Sequence, residues 1–152
     1  MENQDLSELI QLFKKLPHDV VPAWGIMTPH HVIEHLSASF RMSNGSISLS
    51  QTISDEEIPA RLTFLFSNEP FPKNLRNAAL PAAGLRPLKT ATREEAHALL
   101  EKMKQQFEQY FSDNPYATPI HPLFGPLNYE QWHRFHVRHM THHALQFKLL
   151  NP

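Results

Sequence analysis

The spacing of hydrophobic positions along the chain predicts α-helices. In four segments, apolar residues recur every three or four positions, which places them on one side of a helix. The predicted helices cover residues 3–16, 29–42, 92–114 and 129 to 149 or 150. No convincing alternation of apolar and polar residues indicates a strand. The pattern therefore predicts an all-α four-helix bundle with one long connection between the second and third long helices.

Each predicted helix starts at a side chain that can accept a hydrogen bond from the free N–H groups of the first turn. The predicted N-cap residues are Asn3, Thr28, Thr92 and Asn128. Pro29 suits the first helical position. Glu95 and Gln131 follow their caps at the spacing of a capping box.

The connection over residues 43–92 has weak periodicity and frequent prolines. A short helix at 55–66 is compatible with the sequence if Pro59 lies in its first turn. Its predicted buried side is formed by Ile58, Leu62, Leu65 and Phe66. The rest of the connection is predicted to be a long ordered loop with short turns. It either covers an active site or has a purely structural role around the helices.

The composition is that of a folded, nearly neutral protein. The 152 residues have one composition throughout, which predicts a single domain over residues 1–152. Hydrophobic residues make up 41% and charged residues 19%, and the formal net charge is −1. No basic field points to nucleic acid or to an anionic membrane surface. Cysteine is absent, which excludes disulfides, thiolate metal sites and cysteine nucleophiles.

Further classes are disfavoured by what the sequence lacks. The acidic N-terminal segment does not resemble a secretory signal, and no apolar run approaches the ~18 residues of a membrane span. We therefore expect a cytoplasmic protein. The sequence has 4 glycines and no glycine-rich phosphate-binding loop, so nucleotide binding is not expected, and it has no HExxH metalloprotease motif.

Histidine is the one residue type in excess, with 11 in the chain, and four of them lie in the segment HVRHMTHHALQ at 136–146. On a wheel of about 100° per residue, His139 and His143 fall at the centre of the apolar stripe of the last helix, flanked by His136 and Gln146. A buried imidazole without a partner costs roughly 1–3 kcal/mol. Side chains at i and i+4 can converge on one divalent metal. Core histidines hydrogen-bonded to other groups are the alternative.

Several other residues have two interpretations from position alone. His35 lies at the edge of the apolar side of the second helix, with His31 one turn earlier. His136 could support a metal site or carry protons, or could be an ordinary interfacial histidine. Gln146 could orient a ligand or water, or could pack as an amide. Trp132 is most simply a core aromatic that could also line a pocket.

Two separated sequence blocks carry a family resemblance. Trp24-x2-Met27-Thr28-Pro29 leads into a Glu-His-Leu step at 34–36, and an Arg-His-Met-Thr-His-His-Ala-Leu-Gln block occupies 138–146. In these two blocks the chain resembles the DinB-like family of metal-binding four-helix bundles. The HPLFG segment at 121–125 is similar to a branch of that family whose function is unassigned. That family includes YfiT-type proteins, classed as metal-dependent hydrolases, and several thiol S-transferases.

The resemblance implies that His35, His139 and His143 are the three ligands of a metal. It favours His35 over His31. The pair Ala144-Leu145 departs from the Arg-Gly of many relatives, which puts any particular family activity in doubt. The implied activity is hydrolysis by a metal-bound water, and the alternative is thiol S-transfer at the same metal.

The chemistry beyond the ligands is less determined. Zinc or nickel is the expected metal, with iron(II) as a third option, because all three accept nitrogen ligands. The substrate is an unknown small molecule, and no general base is assigned. Glu34 points about 100° away from His35 on the helix and receives no catalytic role. A further alternative is a structural or regulatory bundle without catalysis, and a homodimer through an exposed apolar face is also an expectation.

Overall fold

The computed structural model describes residues 5–73 and 85–152, and their secondary structure is mostly helical. Five α-helices are present in these residues, namely α1 (Leu6–Lys14), α2 (Pro29–Arg41), α3 (Ile58–Phe66), α4 (Arg93–Asp113) and α5 (Tyr129–Gln146). A 3-10 helix at Asp55–Glu57 leads into α3, and two short strands, β1 (Ile120–His121) and β2 (Gly125–Pro126), precede α5. The prediction of an all-α bundle is confirmed.

The first helix starts later than predicted. Asn3 lies outside the described residues, and the N-cap is Asp5, whose carboxylate accepts a hydrogen bond from the Ser7 N–H at 2.9 Å. A carboxylate at this position satisfies a free N–H and also interacts favourably with the positive end of the helix dipole. The helix ends at Lys14 instead of residue 16.

The last helix ends at Gln146 instead of residue 149 or 150. Lys148 adopts a left-handed conformation with φ 61°, and the Leu149 N–H donates back to the Ala144 carbonyl at 2.8 Å, which closes the helix end. The apolar periodicity misplaced this end because Phe147 continues to pack in the core after the helix has stopped.

The other three predicted caps are confirmed. Thr28, Thr92 and Asn128 each accept a hydrogen bond from the N–H group three residues later. At Asn128 the capping box is complete, since Gln131 accepts from the Asn128 N–H. The box predicted at Thr92 is altered, because the Glu95 carboxylate accepts from the N–H of Ala91.

Four of the helices surround the core. α2 contacts α4 and α5, and α1 contacts the same two helices. Cross-helix contacts give their directions: Glu34 with Thr90 and Asn44 with Gln106 show that α2 and α4 run parallel. The pairs His35 with His139 and Ser43 with His136 show that α2 and α5 run antiparallel. The long connection between α2 and α4 is what allows two helices to run in the same direction.

The core between these helices is apolar and rich in aromatic side chains. Its largest fully buried side chains are Trp132, Phe13, Phe40, Phe107 and Phe147. Burial of each such side chain contributes roughly 1.5–3 kcal/mol to folding.

The connection contains the short helix predicted at 55–66, with Pro59 in the first turn of α3. Leu65 is fully buried, but Phe66 is 47% exposed, so its predicted burial is wrong. Among the α-helices, α3 packs mainly against α5, and so it buries only a narrow stripe. At about 100° per residue, Phe66 falls outside the stripe centred on Leu65.

Two arginines of α5 attach the C-terminal end of α3. Arg134 donates to the carbonyls of Leu65 and Ser67 at 3.0 and 2.9 Å. Arg138 donates to the carbonyls of Phe64, Leu65 and Glu69. These carbonyls belong to the negative end of the α3 dipole and to the first residues beyond it, where guanidinium groups are favourable partners.

The far end of the connection is attached to α2 by an acid. Glu34 accepts hydrogen bonds from the N–H groups of Lys89 and Thr90 and from the Thr90 hydroxyl, at 2.5 to 3.0 Å. His31 bonds through Nε2 to the Arg86 carbonyl at 3.0 Å. Residues 64–69 and 86–90 of the connection are therefore held on the two helices that carry His35 and His139.

The HPLFG segment forms a small antiparallel hairpin against α5. Ile120 pairs with Pro126 and His121 with Gly125. Gly125 has φ 80°, a left-handed conformation that favours glycine, and a Cβ there would also lie 2.9 Å from the end of the Ile58 side chain, which would have to move. The Trp132 indole N–H donates to the Pro119 carbonyl at 3.0 Å, which fixes the hairpin to the start of α5.

None of the helices in residues 5–73 and 85–152 combines the length and the apolar character needed to cross a lipid bilayer.

Candidate metal centre

Three imidazoles from two antiparallel helices meet at one point. α2 presents His35, and α5 presents His139 and His143 one turn apart. The Nε2 atom of His139 lies 3.0 Å from that of His35 and 3.1 Å from that of His143. One nitrogen from each ring lies within 4.8 Å of the other two. Among the described residues, this is the group whose donor atoms could hold a metal ion.

Gln146 determines which ring nitrogen of His143 carries the proton. Its amide nitrogen donates to the Trp24 carbonyl at 2.9 Å, so its oxygen is the atom that faces the Nδ1 of His143 at 2.6 Å. An amide oxygen only accepts, and therefore Nδ1 of His143 carries the proton. The lone pair of His143 then lies on Nε2, the nitrogen that points toward the other two rings. This is the usual way in which a second hydrogen bond prepares a histidine for metal binding.

The spacing of the nitrogens suits a single divalent cation. Two imidazoles that each bind a tetrahedral metal at about 2.0–2.1 Å have nitrogens about 3.3 Å apart. The two measured contacts of 3.0 and 3.1 Å lie close to this separation. Without a cation, Nε2 of His139 can donate to only one of its two neighbours. The donor set of this chain therefore fits a metal.

Burial keeps the three rings neutral. It lowers the pKa of His35 to about 4, and the positive charges of His142 and Arg86 act in the same direction. Burial, followed by the neighbouring imidazoles, also lowers the pKa of His139 and His143 well below the usual value. Neutral imidazole is the form that binds metal, so the centre is ready to accept a cation at neutral pH.

His35 and His139 are partly buried, and His143 is 7% exposed. Behind the site, the Phe135 ring stacks on His139 with centroids 5.2 Å apart. The Nδ1 atom of His139 is buried and has no hydrogen-bond partner among the described residues. Two surface cavities in the described part of the chain lie beside Tyr110, and neither is lined by the three histidines.

The structure does not bring His136 and Trp132 into contact with the three histidines. His136 is 1% exposed, bonds through Nε2 to the Ser43 hydroxyl at 2.8 Å and stacks on Phe40. Trp132 is fully buried beside it. Both side chains belong to the aromatic core below the site, which is the simpler of the two interpretations of each residue.

His31 lies one turn before His35 on α2 and faces the long connection. Its Nδ1 atom bonds to the Thr28 hydroxyl at 2.6 Å, while Nε2 contacts the Arg86 carbonyl. His31 therefore helps to hold the segment that leads into α4. Glu34 has the same role and, as expected from the helix geometry, points away from the metal centre.

Of the residues that lie beside the site, the sequence did not identify Phe71 and Lys73. The His142 ring lies 5.1 Å from that of His143 and packs between Trp24 and Phe71. The Lys73 ammonium lies 4.6 Å from the centre of the Trp24 ring. Phe71 and Lys73 belong to the proline-rich connection, whose sequence has no periodicity that could have placed them. Trp24 carries a detectable signal, since it belongs to one of the blocks that resemble the DinB-like family.

Comparison with known proteins supports this resemblance. Searches of curated proteins and of solved structures returned no significant match. A sequence model of the DinB superfamily matches residues 3–147, which include the long connection and both helices that carry the three histidines. The chain therefore belongs to the DinB superfamily.

Proposed function

We propose that this protein is a metal-dependent enzyme whose centre is formed by His35, His139 and His143, and that its reaction is hydrolysis. The observation that carries the proposal is the convergence of three Nε2 atoms, one of which has its lone pair fixed by Gln146. Three nitrogen ligands leave at least one position for water or substrate, as in catalytic metal sites. Zinc is the first candidate and nickel the second, with iron(II) also compatible with the ligands.

When bound, a divalent cation would supply Lewis acidity, which polarises a substrate carbonyl and lowers the pKa of coordinated water. The protein would supply position and environment. Gln146 holds the His143 ring, and Phe135 supports the His139 ring from behind. Trp24 and Phe71 border the outer side with apolar surface. Glu34 is already bound to the backbone of residues 89 and 90, so it is not the general base.

Thiol S-transfer is the alternative function. The same open position would hold the thiolate of a low-molecular-weight thiol and keep it ready to attack an electrophile. One observation favours this option: the centre has three neutral ligands and no carboxylate ligand among the described residues. A cation held in this way would keep its full charge of about +2, which a thiolate partly neutralises.

The metal content of tag-free protein, purified away from nickel resin, tests the proposal. Elemental mass spectrometry should find about one divalent metal per chain in the wild type and almost none in His143→Ala. His133→Ala is the matched control, because His133 lies on the same helix and outside the group of three nitrogens. This control should retain the metal.

Two results would contradict the proposal. A wild-type protein that stays metal-free after incubation with zinc, nickel and iron(II) would mean that the three histidines are core hydrogen-bonding residues. A metal-loaded protein that does not accelerate ester or amide hydrolysis over His143→Ala, across a panel of acyl substrates, would exclude the hydrolase. Thiol transfer would then be tested with the same pair of proteins.

A further inference from the structure

Two polar side chains at the start of α4 bury nitrogen atoms that have no hydrogen-bond partner. Arg93 is 8% exposed, and its Nε and Nη1 atoms are buried without an acceptor in residues 5–73 and 85–152. Both ring nitrogens of His97 are buried and unpaired in the same way. These atoms make up most of the buried side-chain nitrogens and oxygens that lack a partner in the described part of the chain. Such buried polar groups require a physical explanation, and a bound ion is one.

Arg93 and His97 lie one turn apart on the same side of α4. Residues four apart on a helix have Cβ atoms about 5–6 Å from each other, so these two side chains can approach one ligand. Glu101 continues the row by another turn, and it pairs with Lys14 at the C-terminal end of α1. Arg93 also belongs to the buried stripe of α4. Its side chain therefore lies between α4 and the helices packed on it rather than in solvent.

No acidic side chain of the described residues forms an ion pair with Arg93. Glu94 is exposed, and Glu101 is bound to Lys14. Burial lowers the pKa of Arg93, which Glu94 opposes, and a guanidinium stays protonated in proteins. Burial, followed by the positive charges of Arg93 and Lys14, lowers the pKa of His97, so the ring is neutral and keeps one N–H donor. A charge that leaves water without gaining an opposite charge is unfavourable. An anion is therefore the partner that these donors favour.

From this arrangement we propose that the start of α4 binds an oxyanion, the carboxylate or phosphate group of a small molecule, through the guanidinium of Arg93 and a ring N–H of His97. Hydrogen bonds from a guanidinium to an oxyanion are short and strong, and the planar group matches the geometry of both anions. The positive end of the α4 dipole favours the same charge, because Arg93 is the first residue of this helix.

This anion site is separate from the candidate metal centre. α4 carries none of the three histidines, and the inference therefore goes beyond the proposed function. The small exposed fraction of Arg93 restricts the ligand to a compact anion or to the terminal group of a larger molecule. Since α4 packs against α1 and α2, an anion held here would stabilise the packing of these helices.

NMR of the full chain tests the proposal at the atom that carries it. The Nε–H signal of Arg93, identified by its loss in Arg93→Met, should shift and saturate when sodium phosphate or sodium acetate is added at pH 7. Sodium chloride at the same ionic strength is the reference, because it screens charges equally but offers no pair of oxygens. The chloride titration should not saturate the signal. The tighter of the two oxyanions identifies the class of ligand.

Variants assign the binding to the two side chains, with the melting temperature as the measurement. Each oxyanion should raise the melting temperature of the wild type above its value in chloride, and Arg93→Met should lose this rise. The loss corresponds to an affinity at least about tenfold lower, as expected for a charged hydrogen bond. His97→Leu should lower the affinity about twofold to tenfold, as expected for a neutral one. Arg41→Met removes an exposed charge from α2 and is the matched control, which should keep the rise.

A second comparison separates anion binding from an ordinary structural role of Arg93. In chloride, Arg93→Met should melt no lower than the wild type, because the substitution keeps an apolar stem and removes an unpaired buried charge. In phosphate or acetate the wild type should melt higher than the variant. This reversal is expected only if the oxyanion is the partner of the guanidinium.

His143→Ala distinguishes this site from the metal centre. This variant should bind the oxyanion as the wild type does, whereas loss of binding would place the anion on the metal and overturn the inference. The inference is also wrong if neither oxyanion gives a saturable shift, if chloride gives the same shift, or if the wild type and Arg93→Met gain equally in melting temperature. None of these results bears on whether the three histidines bind a metal.

Discussion

Gln146 is the residue whose side chain connects the candidate metal centre to the rest of the protein. It accepts from His143 and donates to the Trp24 carbonyl. Position on the helix wheel identified it as a residue that could orient a ligand. The wheel could not distinguish this from simple packing, because the partner carbonyl comes from a loop more than 120 residues earlier.

Gln146→Leu should weaken metal binding about 10- to 100-fold, because the Nδ1 proton of His143 loses its acceptor and the lone pair on Nε2 is no longer fixed. Gln146→Glu keeps an acceptor and should retain most of the affinity, although the lost bond to Trp24 should lower thermal stability. Competition with a chelating dye measures both variants. Equal metal affinity in the wild type and Gln146→Leu would show that this amide only packs.

His121 gives a pH dependence that is independent of the metal ligands. It is 5% exposed, its Nδ1 accepts from the Leu123 N–H, and burial lowers its pKa to about 3. In the unfolded chain the ring should titrate near pH 6.5. Below that pH the unfolded state binds a proton that the folded state does not. The free energy of unfolding therefore falls as the pH drops from about 6.5 toward 3.

At pH 5 this histidine should cost about 2 kcal/mol relative to pH 7, since 1.5 pH units at 1.36 kcal/mol each separate that pH from the unfolded pKa. Urea unfolding of metal-free His121→Asn should show a smaller loss between pH 7 and pH 5 than the wild type. His18→Asn, at an exposed position, is the matched control and should lose as much as the wild type. An unchanged loss in His121→Asn would contradict the assignment.

At the scale of the elements, three of the four predicted helix starts were correct, whereas the attachments of the connection could not be predicted. An N-cap is a local event among residues a few positions apart, and so Thr28, Thr92 and Asn128 could be read from the sequence. Arg134 and Arg138 bind backbone carbonyls about 70 residues away. Every residue type has the same backbone carbonyl. The identity of the acceptor residue therefore does not indicate that an arginine will bind there.

Arg134 should contribute measurably to the docking of α3. Arg134→Met keeps an apolar stem and removes both donors, which should lower the free energy of unfolding by about 1–2 kcal/mol. It should also speed hydrogen exchange in the α3 C-terminal turn. Arg61→Met is the control, since the ion pair of Arg61 within the described residues is a long, exposed contact of 4.0 Å to Glu57, and its loss should change stability by less than about 0.5 kcal/mol. Equal effects of the two substitutions would show that the carbonyl contacts do not stabilise the helix.

At the scale of the whole molecule, the sequence identified the helices and their buried sides but not the directions in which they pack. The parallel pair of α2 and α4 depends on contacts such as that between Asn44 and Gln106, which no local pattern reports. The three histidines were brought together by the family resemblance rather than by spacing, because His35 is 104 residues from His139. The contact of Lys73 with the Trp24 ring could not be predicted for the same reason, because these residues are also far apart in the sequence.

A metal bound by His35, His139 and His143 would join α2 to α5 and should stabilise the whole fold. At a free metal concentration 100 times the dissociation constant, the gain is about 2.7 kcal/mol. For a chain of this size that gain should raise the melting temperature by roughly 5–10 °C. Calorimetry with zinc and then with excess chelator measures the shift. His143→Ala should show almost none, and an equal shift in this variant would place the metal elsewhere.

The attachment of the long connection has a consequence for the geometry of the candidate metal centre. Glu34 and Arg138 each precede a predicted metal ligand, and they hold residues 89–90 and 64–69 of the connection. The side chains that anchor the connection and the side chains that converge on the centre are therefore neighbours on the same two helices. A substitution at either anchor should change the metal affinity as well as the docking of the connection.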